Sequence, residues 1–260
     1  MHALIDADVL VYYASVVNEG NEDVSWGEDV VTEERMRGAV SLFDDKLAEW
    51  LTLAGTDDYK LVFSGKSSED NFRRAIHPEY KRNRTTPKPV IYGALRELVE
   101  DAYGCHSWWD LEGDDVLGIL SGPDTMIVST DKDIRTLPGR LLHIAHPSKT
   151  QQPWFINSVA QADRYWMTQT LTGDTTDGYR GCPGVGPARA KVLLNGVLGV
   201  HDMWNVVLEE YRTKALDKRW GKKFFSSNYY NEALANAQVA RILRAREYDF
   251  DTGVPKLWRP

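Results

Sequence analysis

Three times before residue 134, an apolar run of strand length ends in closely spaced carboxylates: "LIDAD" (4–8), "WWDLEGDD" (108–115) and "MIVSTDKD" (126–133). Carboxylates are rarely buried at the end of such a run unless they are paired or hold a cation. A lone Asp there can cap the following helix, which accounts for one acid and leaves the second of each group unexplained. Segments of helical period separate the runs. The predicted order is strand 2–6, helix 34–54, strand 59–64, helix 90–103, a short aromatic strand "CHSWW" (105–109), a loop entering a helix over "DLEGDDVLGIL" (110–120), strand 125–130 and strand 140–145. Strands alternating with helices specify an α/β fold with a central, mainly parallel sheet flanked by helices. Such sheets bind ligands at the C-terminal ends of their strands, where these acids lie. After residue 157 the strand signals stop and the chain is predicted helical, giving a core at 1–157 and a helical part at 158–260.

With 260 residues, 42% of them hydrophobic, the chain can bury a sizeable core. No apolar run approaches the roughly 18 residues of a membrane helix. The N-terminus enters a strand with no basic leader before it. Cys105 and Cys182 are the only cysteines, so neither a disulfide framework nor a zinc site is predicted, and a reducing, cytoplasmic setting is expected. The net charge of −7 argues at first against a nucleic-acid partner. The charge is segregated, however. Basic residues collect in "RRAIHPEYKRNRTTPK" (73–88), "RTKALDKRWGKK" (212–223) and "ARILRAR" (240–246), and acids in short motifs that bound cations would neutralise. A basic face would have to be local, and each run taken singly is equally a solvated helix face. Residues 18–33, "NEGNEDVSWGEDVVTE", are expected as an acidic surface excursion.

A fourth acidic group, Asp174 and Asp177, lies in "LTGDTTDGYRG" (171–181). In the strand-borne groups, Asp6/Asp8, Glu112/Asp114 and Asp131/Asp133, an i, i+2 spacing presents both side chains to one side of a strand. Asp174 and Asp177, at i and i+3, would share a helix face. Converging at one edge, with Asp115 beside them, these carboxylates would repel unless protonated or bridged by cations. Oxygen donors without His or Cys suit Mg²⁺ or Mn²⁺. Two such ions about 3.5–4 Å apart activate a water and stabilise the leaving oxygen of a phosphodiester, which is nuclease chemistry. A haloacid-dehalogenase-like phosphohydrolase, with Asp6 as nucleophile and Asp8 as acid/base, also fits "DADV". That class needs its acidic pair after the Ser/Thr strand, whereas here "GDD" precedes "VST".

The motifs "LIDAD", "PEYKRNR", "EGDDVLG", "VSTDKD" and "GDTTDGYRGCPGVGPARA" stand in the order found in the 5′-nuclease (flap endonuclease, PIN-like) superfamily. The chain resembles its bacteriophage and bacterial 5′→3′ exonuclease branch over about residues 2–195. The resemblance implies two divalent cations, Mg²⁺ or Mn²⁺. Asp6, Glu112 and Asp114 would surround the first, Asp131, Asp133 and Asp177 the second, with Asp115 and Asp174 beside them. Asp8 stands where the family usually has a different residue and is a further candidate ligand. The strand "KLVFSG" usually ends in Asp and here ends in Ser64, leaving the first site one carboxylate poorer, with Asp8 or water to compensate. Lys81 and Arg84 are implied to bind the scissile phosphate, at the base of a short arch at about 66–95. A compact ammonium and a planar guanidinium suit that task. Tyr80 could stack on a base.

The segment "GCPGVGPARAKVLL" resembles a helix–two-turn–helix (helix–hairpin–helix) element at about 171–195. In that element Gly184, Val185 and Gly186 would grip duplex backbone, often with a monovalent cation, while Arg189 and Lys191 add charge. The implied function is a metal-dependent 5′→3′ exonuclease, structure-selective for duplex DNA with 5′ ends, nicks or flaps and extending to RNA in hybrids, in a bacterial or phage-infected cell. No membrane is implied. The competing readings are the phosphohydrolase, a PIN-type ribonuclease and a non-catalytic DNA-binding relative.

Overall fold

Strand β1 (His2–Asp6) carries Ala3, Leu4 and Ile5 buried on both of its faces, which seats it inside a sheet rather than at its rim. The computed structural model describes residues 1–20, 32–66, 70–108, 110–144, 154–221, 225 and 228–260. β1 pairs in parallel with β2 (Tyr59–Val62) on one side and β3 (Thr125–Ser129) on the other, Ile5 lying opposite Leu61 and Val128. β3 pairs in parallel with β4 (Gly139–His143), and β5 (Phe155–Asn157) completes the order β2-β1-β3-β4-β5. The expected α/β fold with a mainly parallel, helix-flanked sheet is the one observed.

The helices, in chain order, are α1 (Ala7–Gly20), α2 (Glu33–Ala54), α3 (Phe72–Ile76), α4 (Tyr92–Tyr103), α5 (Gly113–Leu120), α6 (Val159–Thr172), α7 (Pro187–Leu193), α8 (Val200–Leu216) and α9 (Tyr229–Ala240). The chain divides into two compact units. The first comprises Met1–Lys66, Thr86–Lys132 and Arg140–Phe155; the second comprises Ser67–Thr85, Asp133–Gly139 and Ile156–Pro260.

In the first unit, Ala39, Phe43, Leu47, Trp50 and Ala54 recur every three or four positions along α2 and form its buried stripe. Burying Phe43 or Trp50 contributes about 2–3 kcal/mol by transfer from water. Thr32 starts α2 by accepting a hydrogen bond from the Arg35 amide. The expected strand at "CHSWW" does not form. His106 alone bridges Val62, its N–H donating to Leu61 and its carbonyl accepting from Phe63, before the chain turns toward α5. Trp109 lies outside the described residues, as do 21–31 of the acidic excursion.

The second unit is built around Trp166, Met167, Trp204 and Tyr211, with Trp258 packed edge-on against both Trp166 and Trp204. It is helical as expected, with one exception: Tyr248–Asp249 (β6) and Val254–Pro255 (β7) form an antiparallel hairpin. Asp249 accepts from the amides of Asp251 and Thr252, so "DFDTG" closes a turn where continued helix was predicted. The basic run 240–246 is not a solvated face. Arg241 is buried against Glu247 and over Trp166, and Arg244 pairs with Asp163. The run at 212–223 is also largely neutralised: Arg212 pairs with Glu209, Lys214 with Glu210 and Arg219 with Asp217, while 222 and 223 lie outside the described residues. Among the described residues no helix is long and apolar enough to cross a membrane.

Candidate active site

Asp6 ends strand β1 and Asp131 follows β3, whereas Glu112, Asp114 and Asp115 follow no strand, and none of these acids forms a strand pair. β1 stops at Asp6, and Asp8 already belongs to the first turn of α1. Glu112 is the N-cap of α5, with Asp114 and Asp115 in its first turn. Asp131 follows β3 in a loop, and Asp133 lies on a 3₁₀ turn, Lys132–Thr136, in the second unit. The i, i+2 alternation expected of these pairs therefore does not apply, because β1 and β3 end before their second acids and Glu112 and Asp114 open a helix with no strand before them.

Asp6 and Asp8 point to different partners. Ser129 Oγ donates to Asp6 Oδ2 at 2.6 Å and accepts from the Asp131 amide at 3.0 Å. The adjacent parallel strands β1 and β3 bring Asp6 and Ser129 side by side, so one hydroxyl ties the two acidic motifs together. Asp6 is 5% exposed, and burial together with the charges of Asp8 and Asp131 pushes its carboxyl up to about 7, against the opposing pull of the Ser129 hydrogen bond. Asp8 Oδ2 accepts from the Ser64 amide at 2.6 Å and Oδ1 from the Tyr92 hydroxyl at 2.9 Å, with the Arg96 guanidinium 3.8 Å away. Ser64 Oγ accepts from the Gly113 amide at 2.9 Å, and its carbonyl accepts from Arg96. A Cβ on Gly113 would come within 3.3 Å of Asp8 Oδ2 and of the Ser64 nitrogen, so a side chain there would require these neighbours to give by a few tenths of an ångström. At Ser64, the position where the resemblance noted the loss of an Asp, the hydroxyl accepts from the first amide of α5, and Asp8 on α1 accepts from the Ser64 amide. Asp115 is fully buried.

In the second unit α6 ends at Thr172, and Asp174 and Asp177 lie on a turn rather than on the shared helix face expected of them. Asp174 pairs with Tyr179 through two backbone hydrogen bonds, and its Oδ1 accepts from the amides of Thr176 and Asp177. A side chain that bonds its own downstream backbone competes with helix, which is why the turn wins. The segment bearing Lys81 and Arg84 docks on this turn. Asp177 accepts from Arg84 Nη2 at 2.6 Å and from the Tyr80 hydroxyl at 3.3 Å, with Lys81 Nζ at 3.8 Å, and its carbonyl accepts from the Lys81 amide. Gly178 has φ +80°, and a Cβ there would come within 2.9 Å of the Glu79 carbonyl, so this close approach demands glycine. Lys81 has φ +55°, alone among the described non-glycine residues in having positive φ. Tyr80 is 3% exposed in the core of this unit and is not available to stack on a base. The buried Tyr179 phenol is pushed well above its ordinary value, first by burial and then by the charges of Asp133, Asp177 and Asp174.

The loop at 182–186 presents Gly184 (φ +70°) and Gly186, the N-cap of α7, at the surface. Val185 is buried and its amide donates to Cys182. Arg189 makes two 2.9 Å hydrogen bonds to Glu210, which Lys214 also approaches, so its charge is matched; Lys191 is exposed. Ser129, Tyr92, Arg96 and Tyr179 were not singled out from the sequence. A polar Tyr and Arg at i, i+4 on the apolar stripe of α4 were the one available signal.

Among the described residues no three His, Cys, Asp or Glu side chains stand close enough to hold a metal ion between them as they are. The donor chemistry nevertheless fits a hard divalent cation: a buried carboxylate is crowded by two others, with oxygen donors throughout.

No family model matches the chain. It is 26% identical over 99% of its length to the exodeoxyribonuclease of Enterobacteria phage T3, spanning 92% of that protein, and 26% identical over 99% to the exonuclease of Escherichia phage T7, spanning 93%. The flap endonuclease Xni of Vibrio atlanticus is 26% identical over 74% of the chain and 75% of that protein. Among solved structures, bacteriophage T5 5′-exonuclease with divalent zinc bound shares the fold at a TM-score of 0.59 and 15% identity, covering 92% of this chain and 89% of that one. Over nearly its whole length the chain is thus similar to phage exonucleases, and over three quarters of it to a flap endonuclease.

The surroundings of Asp6 predict how pH and divalent ions combine. Its carboxyl is pushed up to about 7 from the ordinary 3.8, so its contribution to stability is fully present below 3.8 and is lost as pH rises through about 7. A cation held by the same carboxylates would offset that loss. The melting temperature without divalent ions should fall between about pH 5 and pH 8, and Mg²⁺ should raise it more at the higher pH. An equal Mg²⁺ effect at both pH values in a thermal-shift series would separate Asp6 from the cation.

Proposed function

We propose that the chain is a divalent-metal-dependent 5′→3′ exonuclease that hydrolyses phosphodiesters of duplex DNA from 5′ ends, nicks and gaps, with endonucleolytic flap cutting as a secondary activity and RNA in hybrids as a further substrate. The observation that carries this reading is the docking of the Lys81–Arg84 turn on Asp177, which sets two basic side chains against one of the candidate metal-binding carboxylates. Asp6, Glu112 and Asp114 would hold one divalent cation, and Asp131, Asp133 and Asp177 the other, with Asp115 beside the first and Asp174 shaping the turn of the second. When bound, such ions polarise the phosphodiester and lower the pKa of water. Arg84 is half exposed, and on substrate binding Lys81 and Arg84 would exchange the Asp177 carboxylate for the non-bridging oxygens of the scissile phosphate. Asp8, saturated by Ser64, Tyr92 and Arg96, acts as a support for the start of α5.

The exposed Gly184–Gly186 loop and Lys191 form the duplex contact, with a monovalent cation as a candidate companion, and recognition there is independent of sequence. A flap endonuclease neighbour from bacteriophage T5, with a TM-score of 0.55 over 92% of this chain, was crystallised with DNA and metal ions, which supports both partners. Between residues 70 and 91 the described chain forms one five-residue helix, α3, which supports a short, open arch under which long flaps need no threading. Digestion of 5′-labelled and 3′-labelled duplexes tests the reading. In Mg²⁺ the 5′ label should leave early as mononucleotides or short oligonucleotides, the 3′ label should persist in a descending ladder, and chelation should stop both. A single flap-length product preceding any duplex degradation would overturn the exonuclease assignment.

A further inference from the structure

Gln169 sits on α6 with only 8% of its surface exposed, and one end of its amide has no partner. Nε2 donates to Asp133 Oδ1 at 2.7 Å. An ionised carboxylate can only accept, so this contact fixes which end of the amide faces Asp133. The other end, Oε1, is buried and accepts nothing. Native interiors leave very few such acceptors unsatisfied; the missing donor is ordinarily an ordered water or a ligand.

The backbone beneath Asp133 is tied down independently. Thr136 Oγ1 donates to the Asp133 carbonyl at 2.9 Å, Asn157 Nδ2 to the carbonyls of Arg135 and Leu137 at 2.8 and 2.7 Å, and Arg244 Nη2 to that of Thr136 at 2.9 Å. With the turn held in this way, orienting the Asp133 carboxylate falls to its side-chain contacts. Gln169 makes one of 2.7 Å from the buried face of a long helix. Asp133 is also among the three carboxylates whose charge reaches Tyr179.

We propose that Gln169 is a positioning residue for divalent-cation binding: its N–H aims the Asp133 carboxylate, and its orphan carbonyl accepts from an ordered water beside the cation. The proposal rests on the reading of Asp133 as a metal ligand. Hydrogen bonds behind ligating groups of this kind carry much of a site's affinity.

Gln169→Met removes both hydrogen-bonding ends at nearly constant volume, and Gln169→Asn keeps the amide but draws it back from Asp133. In each variant Mn²⁺ binding to DNA-free protein, followed by electron paramagnetic resonance of the free ion, should weaken about 10-fold. The half-saturating Mg²⁺ concentration for single-turnover cleavage should rise in proportion, saturating Mg²⁺ should restore most of the rate, and the melting temperature in chelator should stay near that of the parent. Should the Met variant fail to fold, the Asn variant decides. Unchanged Mn²⁺ affinity would overturn the proposal and assign Gln169 to packing. Asp133→Asn, measured alongside, separates the two readings. If it leaves Mn²⁺ binding intact, the assignment of Asp133 as a ligand fails; if it weakens binding while the Gln169 variants do not, only the role of Gln169 fails.

Discussion

Asp177→Asn should lower the single-turnover rate of DNA cleavage by about 10³-fold or more while leaving duplex binding intact or tighter. The reasoning follows from what Asp177 holds. Its carboxylate accepts from Arg84 and Tyr80 and lies 3.8 Å from the Lys81 ammonium, and its carbonyl accepts from the Lys81 amide. Asparagine keeps the size, the backbone contact and one acceptor oxygen. It loses the negative charge that a divalent cation requires, and with it the charge that neutralises Lys81 and Arg84 and repels substrate phosphate. Chemistry should therefore fail as binding gains. A variant that lost DNA binding and folding together would show instead that Asp177 serves to pin the two turns to each other.

Lys81 should display the opposite signs for activity and stability. Holding a residue with a Cβ at φ +55° costs about 1–2 kcal/mol, a cost glycine does not bear. Strain of this kind is kept where geometry is needed for function. Lys81→Gly should therefore raise stability by about 1 kcal/mol and lower cleavage by about 10²-fold, as expected for loss of a charge that stabilises the transition state. Lys81→Ala should lose the same activity without the gain in stability, since alanine keeps the Cβ. Denaturant unfolding beside single-turnover kinetics checks both. Equal stability of the Gly and Ala variants would remove the strain argument, and a rate within a few-fold of the parent would make Lys81 a surface charge.

The acidic motifs were legible because apolar strand and acid are adjacent in the chain, and residues 2–6, 125–129 and 92–103 form the elements expected of them. The geometry of the acids was less legible. The strand ends at Asp6 as expected, but the i, i+2 spacing gave no sign that Asp8 would lie in the first turn of α1 and accept from Ser64. The helix spacing of Asp174 and Asp177 gave way to a turn because the Asp174 carboxylate bonds the two amides ahead of it. Tyr80 read as a stacking platform from its basic neighbours, yet its ring is buried in the core of the second unit and its hydroxyl serves Asp177.

What the sequence determined by itself is the inventory and order of chemical groups: strand-ending acids, a Lys-x-x-Arg turn, a Gly-Val-Gly loop, and the parallel α/β plan. Those follow from local hydrophobic period and from residue chemistry, both of which a linear string carries. Tertiary structure decided which group serves which. Ser129 joins Asp6 to Asp131 only because β1 and β3 are neighbours in register. Arg244 supports the Asp133 turn from 108 positions away in the chain rather than facing solvent with its basic neighbours. Arg189 is matched by Glu210, 21 positions away. Hydrogen bonds and ion pairs act over a few ångströms in space, whatever the separation in sequence, so their partners are set by the packing of the elements that carry them.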